Sequence, residues 1–84
     1  MAPTMAETDT RLAGQTRYIA NTDGLGIEVR TVCDDQAGSG GWPEGAQVTV
    51  VYARADCPEW LLVKRSEEDG SWVRVAYLSE TPPR

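Results

Sequence analysis

Two cysteines and a small set of aromatic residues are the side chains of this sequence whose chemistry could define a function. Histidine is absent, which removes the most common general base and the most common metal ligand at neutral pH. Ser-His and Cys-His catalysis are therefore excluded, and two cysteines without histidine do not form a zinc-binding set. We expect neither a cofactor nor a bound metal.

Five of the 13 Asp and Glu residues occur in two short acidic runs, Asp34-Asp35 and Glu67-Glu68-Asp69. Neither run has the ligand spacing of a calcium-binding loop. Nothing around them indicates a pocket that would separate the pKa values of two carboxyl groups, as acid–base catalysis requires. We interpret both runs as solvated loops and expect that the protein is not an enzyme.

Cys33 and Cys57 leave two interpretations open. They would form a disulfide in an oxidising compartment and remain two thiols in a reducing one. A bridge would close a loop of about 25 residues and contribute roughly 3 kcal/mol to stability in the chain-entropy account. Both cysteines lie in predicted loops, beside Asp34 and Pro58. We therefore expect the disulfide, with buried reduced cysteines as the alternative.

Length and charge narrow the function classes further. At 84 residues the chain forms a single domain with a small core. A net charge of −5 and a pI near 4.5 argue against nucleic-acid binding, which depends on Lys and Arg. The longest apolar run, residues 48–53, is far shorter than the roughly 20 residues of a membrane-spanning helix. Localisation stays open: extracellular or cell-wall associated if the chain belongs to an exported protein, and cytoplasmic otherwise.

Short β-prone segments separated by turn residues predict an all-β domain. We expect a flexible leader over residues 1–16, the folded domain over 17–81 and a C-terminal tail over 82–84. The predicted strands are 17–20, 25–32, 47–53, 60–64 and 71–75, followed by a 3₁₀ turn near 76–78. Residues 33–41 are predicted as a loop, 42–45 as a turn and 66–70 as the turn of a hairpin.

Alternation predicts Leu25, Ile27 and Val29 on one face of the second strand. The core candidates are Val29, Val48, Val50, Leu62, Val63, Val73 and Leu78, although Leu62 and Val63 cannot both point inward.

Several of these segments together resemble the bacterial SH3-type (SH3b-like) domain. The matching residues are Asp23-Gly24-Leu25 leading to Val29-Arg30, then Pro43-Glu44-Gly45, Trp60-Leu61-Leu62-Val63, Trp72-Val73 and Tyr77-Leu78. The interval from Leu25 to Arg30 is longer than is usual in the family, and Ser71 replaces a customary glycine. The resemblance implies a small five-stranded antiparallel SH3-like barrel that ends in a 3₁₀ turn.

The same resemblance implies a shallow groove between residues 31–41 and 54–59. Trp60 and Tyr77 would lie along this groove with Arg74 nearby, while Trp42 is either a core residue or an exposed anchor. A bridge between the two cysteines would join the two groove loops. Aromatic side chains suit the binding of an extended peptide, because they offer a large contact area at little cost in side-chain entropy.

The function expected from these features is a non-catalytic binding module. Its ligand would be a cell-wall (peptidoglycan) peptide or another extended peptide, held in the aromatic groove. The alternative is a protein-interaction or assembly domain within a larger complex or homo-oligomer. We expect no nucleic-acid partner and no membrane insertion, and the oligomeric state stays open.

Overall fold

The protein is an all-β domain built on one antiparallel sheet. The computed structural model describes residues 8–30, 33, 38–65 and 70–83, and these residues form eight strands and one 3₁₀ turn. The strands are β1 (Thr8–Asp9), β2 (Thr16–Ile19), β3 (Ile27–Arg30), β4 (Gly38–Trp42), β5 (Gln47–Arg54), β6 (Trp60–Lys64), β7 (Ser71–Arg74) and β8 (Leu78–Ser79). The 3₁₀ turn spans Val75–Tyr77, between β7 and β8.

The strands follow the order β4-β3-β7-β6-β5-β2-β8, and β1 pairs separately with the end of β5. The central strands are rich in β-branched residues, which fit the pleated surface of a sheet. The register shifts once between β5 and β6, so that Val50 pairs with Val63 and Tyr52 with Leu62. The described residues form an open path of strands with β4 and β8 at its two ends. Their pairings do not close the sheet into the five-stranded barrel that the sequence predicted.

A single apolar core lies against one face of this sheet. Its members come from strands across almost the whole path and from the turn before β5: Ile19, Val29, Trp42, Ala46, Val48, Val50, Leu61, Val63 and Val73. Residues on strands that are distant in the sheet order therefore pack together. The sheet must curve around these side chains, because a flat sheet would hold such strands apart.

All five predicted strands occur, with ends within two residues of the prediction, and β1, β4 and β8 are additional; residues 31–32, predicted as the end of the second strand, lie outside the described residues. The predicted loop over 33–41 contains most of β4, whose glycine-rich sequence has little intrinsic preference for a strand. The strand forms because Trp42 reaches the core while its backbone pairs with Ile27. The turn predicted at 66–70 falls mainly outside the described residues.

One prediction of burial was wrong, and β6 decides between the two alternative core residues Leu62 and Val63. Leu25 lies at the tip of the loop before β3 and is exposed, whereas Val29 is buried as expected. In β6 the core positions are Leu61 and Val63, and Leu62 points to the opposite face of the sheet. The cause in β6 is simple alternation: because Val63 faces the core, its neighbour Leu62 must face away.

The predicted leader also differs from the structure. Thr8 and Asp9 pair with Arg54 and Ala53 at the end of β5. Further along, the amide of Gly14 donates to the carbonyl of Val50 at 2.8 Å. Several residues between 8 and 16 are thus hydrogen-bonded to β5, and residues 1–7 lie outside the described part of the chain.

Candidate functional site

The outward face of β6 and β7 carries a second apolar cluster. Trp60 and Leu62 on β6 lie opposite Arg74 and Trp72 on β7, so all four side chains share the face that points away from the core. The buried members of the outward cluster are Cys57, Trp60 and Trp72, and Cys33, Tyr52 and Leu62 pack against them. The rings of Tyr52 and Trp72 meet edge to face with centroids 5.9 Å apart, a preferred aromatic geometry.

A disulfide between Cys33 and Cys57 lies at this cluster. Their Cα atoms are 6.2 Å apart, and the Cys57 side chain is almost fully buried. The bridge ties the segment that follows β3 to the turn between β5 and β6. It thereby connects two stretches of chain that no strand pairing among the described residues joins.

A cleft of about 530 Å³ opens beside this cluster, and we call it the Tyr77 cleft. Three residues predicted as ligand contacts, Trp60, Arg74 and Tyr77, line it together. The remaining lining comes from the loop between β2 and β3 (residues 20–26) and from β3. Of the two loops predicted to border the groove, residues 54–59 border a separate groove beside residues 8–12, and most of residues 31–41 lie outside the described part of the chain.

Trp60 does not offer a bare aromatic face to the cleft. Only 7% of its surface is exposed, and the Arg74 guanidinium carbon lies 4.7 Å from the centroid of its ring. Glu59 is near the same guanidinium, with Oε2 at 3.9 Å from Nη1. The indole therefore packs in the outward cluster and presents Arg74 to the cleft.

The β2–β3 loop is held by a network centred on the Glu44 carboxylate. Glu44 Oε1 accepts hydrogen bonds from the Thr22 amide at 2.9 Å, the Thr22 hydroxyl at 2.7 Å and the Gly24 amide at 3.3 Å. These hydrogen bonds lower the pKa of Glu44 below its ordinary value, because they favour the ionised form. Asn21 also donates from Nδ2 to the carbonyl of Ala76 at 2.9 Å, which fastens the loop to the 3₁₀ turn.

The loop projects Leu25 into solvent at the rim of the Tyr77 cleft. Its surface is 89% exposed, and it stands between Gly24 and Gly26, whose φ angles are +80° and +77°. An exposed leucine on a loop fixed by hydrogen bonds is a candidate ligand contact. The alternation pattern had instead placed Leu25 on the apolar face of a strand. The two flanking glycines were the signal of a loop tip rather than a strand.

Trp42, the fourth predicted contact, lies elsewhere. It is buried in the core, and the Arg65 guanidinium covers its ring at 5.9 Å from the centroid. Trp42 also lines a second depression, which shares Leu25, Gly26 and Ile27 with the Tyr77 cleft. Of the two roles that the sequence left open for Trp42, the structure places it in the core.

Among the described residues, no group of three or more Cys, Asp or Glu side chains could hold a metal ion. Within the same ranges no helix has the length and apolar character needed to cross a membrane. Comparison with protein-family models found no match, and comparisons with curated proteins and with solved structures found none either.

Proposed function

We propose that this chain is a non-catalytic binding module of the SH3 type that holds an extended peptide, such as a cell-wall peptide, in the Tyr77 cleft. Two features support the SH3-type assignment: one curved sheet surrounds one core, and a 3₁₀ turn precedes the last strand. Both agree with the family resemblance that the sequence motifs carry.

The observation that carries the binding proposal is the convergence of Trp60, Arg74 and Tyr77 with the exposed Leu25 on one cleft. The cleft is lined by the β2–β3 loop, by β3, and by Trp60, Arg74 and Tyr77. The Glu44 and Asn21 hydrogen bonds hold the loop before any ligand arrives. A preformed site of this kind binds with a smaller loss of conformational entropy.

The test is retention of the domain on purified peptidoglycan, measured with a variant that leaves the fold intact. Trp60→Ala is unsuitable because Trp60 is buried, and its loss would report on folding. Leu25→Ser changes an exposed residue at the cleft, and Leu12→Ser is the matched control, since Leu12 is an exposed leucine outside the cleft. We expect weaker retention for Leu25→Ser alone. Absence of retention of the unaltered domain, or equal retention of both variants, would refute the proposal.

A second candidate is an assembly domain, and the edge strand β4 favours it. Among the described residues β4 pairs only with β3, and its sequence Gly-Ser-Gly-Gly-Trp carries no charged residue. An uncharged edge strand can pair with the same strand of a second copy. Light scattering over a range of concentrations tests this: a dimer supports assembly, and a monomer at every concentration excludes it.

A further inference from the structure

Two arginines share the outward face of the sheet. Arg30 of β3 pairs directly with Trp72 of β7, and Arg74 lies two residues further along β7 on the same face. Such diagonal neighbours in an antiparallel pair are roughly 7 to 8 Å apart at their Cα atoms, within reach of long side chains. Both arginines line the Tyr77 cleft. A protein of net charge −5 thus places two guanidinium groups at one site.

Two exposed glutamates contact these arginines. Arg30 Nη1 lies 2.7 Å from Glu28 Oε1, and Arg74 Nη1 lies 3.9 Å from Glu59 Oε2. The Glu28 and Glu59 side chains are 58% and 80% exposed. Exposed ion pairs of this kind contribute little to stability. An incoming carboxylate can therefore take the place of either glutamate without disturbing the fold.

We propose that Arg30 and Arg74 bind the terminal carboxylate of the peptide in the Tyr77 cleft; this inference rests on the proposed function and names the chemistry of its ligand. A guanidinium presents a planar set of N–H donors that matches the two oxygens of a carboxylate. Packing on Trp60 orients the Arg74 group. Asp23 and Glu28 also line the cleft, and their negative charges disfavour a multiply charged anion such as phosphate. A singly charged carboxylate fits this mixed lining.

The test compares two forms of one peptide, acetyl-trialanine with a free carboxylate and the same peptide with a C-terminal amide. Binding is followed by NMR titration of the amide signals of residues at the cleft. We expect the amide to bind at least about tenfold more weakly, because charge-assisted hydrogen bonds are lost. Arg30→Gln and Arg74→Gln should lower the affinity for the free acid and leave that for the amide unchanged.

Arg54→Gln is the matched control, because Arg54 forms an ion pair of the same kind with Asp56, at 2.8 Å, away from the Tyr77 cleft. It should bind both peptides like the unaltered protein, and a urea unfolding curve for each variant shows that the fold is retained. Equal binding of acid and amide would overturn the carboxylate inference and leave the proposed function standing. Binding of inorganic phosphate as tight as that of the free acid would also overturn it. Absence of binding by both peptides would overturn the inference and the proposed function together.

Discussion

Reduction of the Cys33–Cys57 disulfide is expected to remove a large part of the stability of this protein. The two cysteines are separated by 24 positions in the sequence. A bridge over such a loop lowers the entropy of the unfolded chain and stabilises the folded state by about 3.5 kcal/mol at 25 °C. Small domains have total unfolding free energies of about 5–15 kcal/mol. The bond therefore supplies an appreciable fraction of the stability.

Urea unfolding followed by tryptophan fluorescence measures this effect. Trp60 and Trp72 pack in the outward cluster with Cys57, so their emission reports on the region that the bridge holds. The oxidised protein, the protein with reductant and a Cys33→Ala/Cys57→Ala variant are compared. We expect the reduced protein and the double variant to unfold at similar, lower urea concentrations. Reductant should have no effect on the variant, which controls for effects of the reagent itself.

Two results would refute this reasoning. Thiol titration of the unfolded protein, purified without reductant, would yield two free thiols if the bridge were absent. A loss of less than about 1 kcal/mol on reduction would show that the reduced chain retains the loop closure by other contacts, contrary to the entropic account.

Three further predictions concern the outward cluster and the β2–β3 loop. Trp60→Ala should lower the free energy of unfolding by about 3–5 kcal/mol in urea titrations, because the indole is buried; a loss below about 1 kcal/mol would contradict its burial. The folded-state pKa of Glu44 is lowered, so its contribution to stability is present above the unfolded pKa and is lost as the pH falls through the folded pKa. NMR titration of its carboxyl carbon should give a midpoint below that of an unstructured glutamate, and an ordinary midpoint would disprove the network. Gly26→Ala should destabilise the protein by more than about 1 kcal/mol, because φ is +77° and a Cβ atom would lie 2.7 Å from the Trp42 carbonyl oxygen; Gly24→Ala, with no atom within 4 Å of its Cβ, should cost less in the same assay.

The sequence predicts the central strands well because their residues carry the alternation themselves. Val48 and Val50 are separated by Thr49, and both valines are buried in the core. It does not predict β4, because glycines have no side chains to show a pattern. That strand depends on a contact distant in sequence, between Trp42 and the core. In β4 the low strand preference of glycine is outweighed by the packing of Trp42 in the core.

The candidate site was predicted in part for a similar reason. Arg74 follows the Trp72-Val73 motif of the resemblance and Tyr77 belongs to the next motif, so their meeting at one cleft was accessible from the sequence. The position of Leu25 at the cleft could not be predicted from the sequence, because the alternation rule treats any apolar residue in a β-prone run as buried. Its exposure follows from the positive φ angles on either side of it and from the Glu44 hydrogen bonds that fix the loop.

The disulfide and the Tyr77 cleft are parts of one continuous packing arrangement. Cys57 packs in the cluster that buries Trp60, and the Trp60 ring in turn supports the Arg74 guanidinium at the cleft. A binding group is most effective when the residues behind it are themselves held in place. Loss of the bridge would loosen the cluster first and the orientation of Arg74 second. The bond that stabilises the fold is therefore also a positioning element for the proposed ligand contact, and we expect peptide affinity and stability to fall together on reduction.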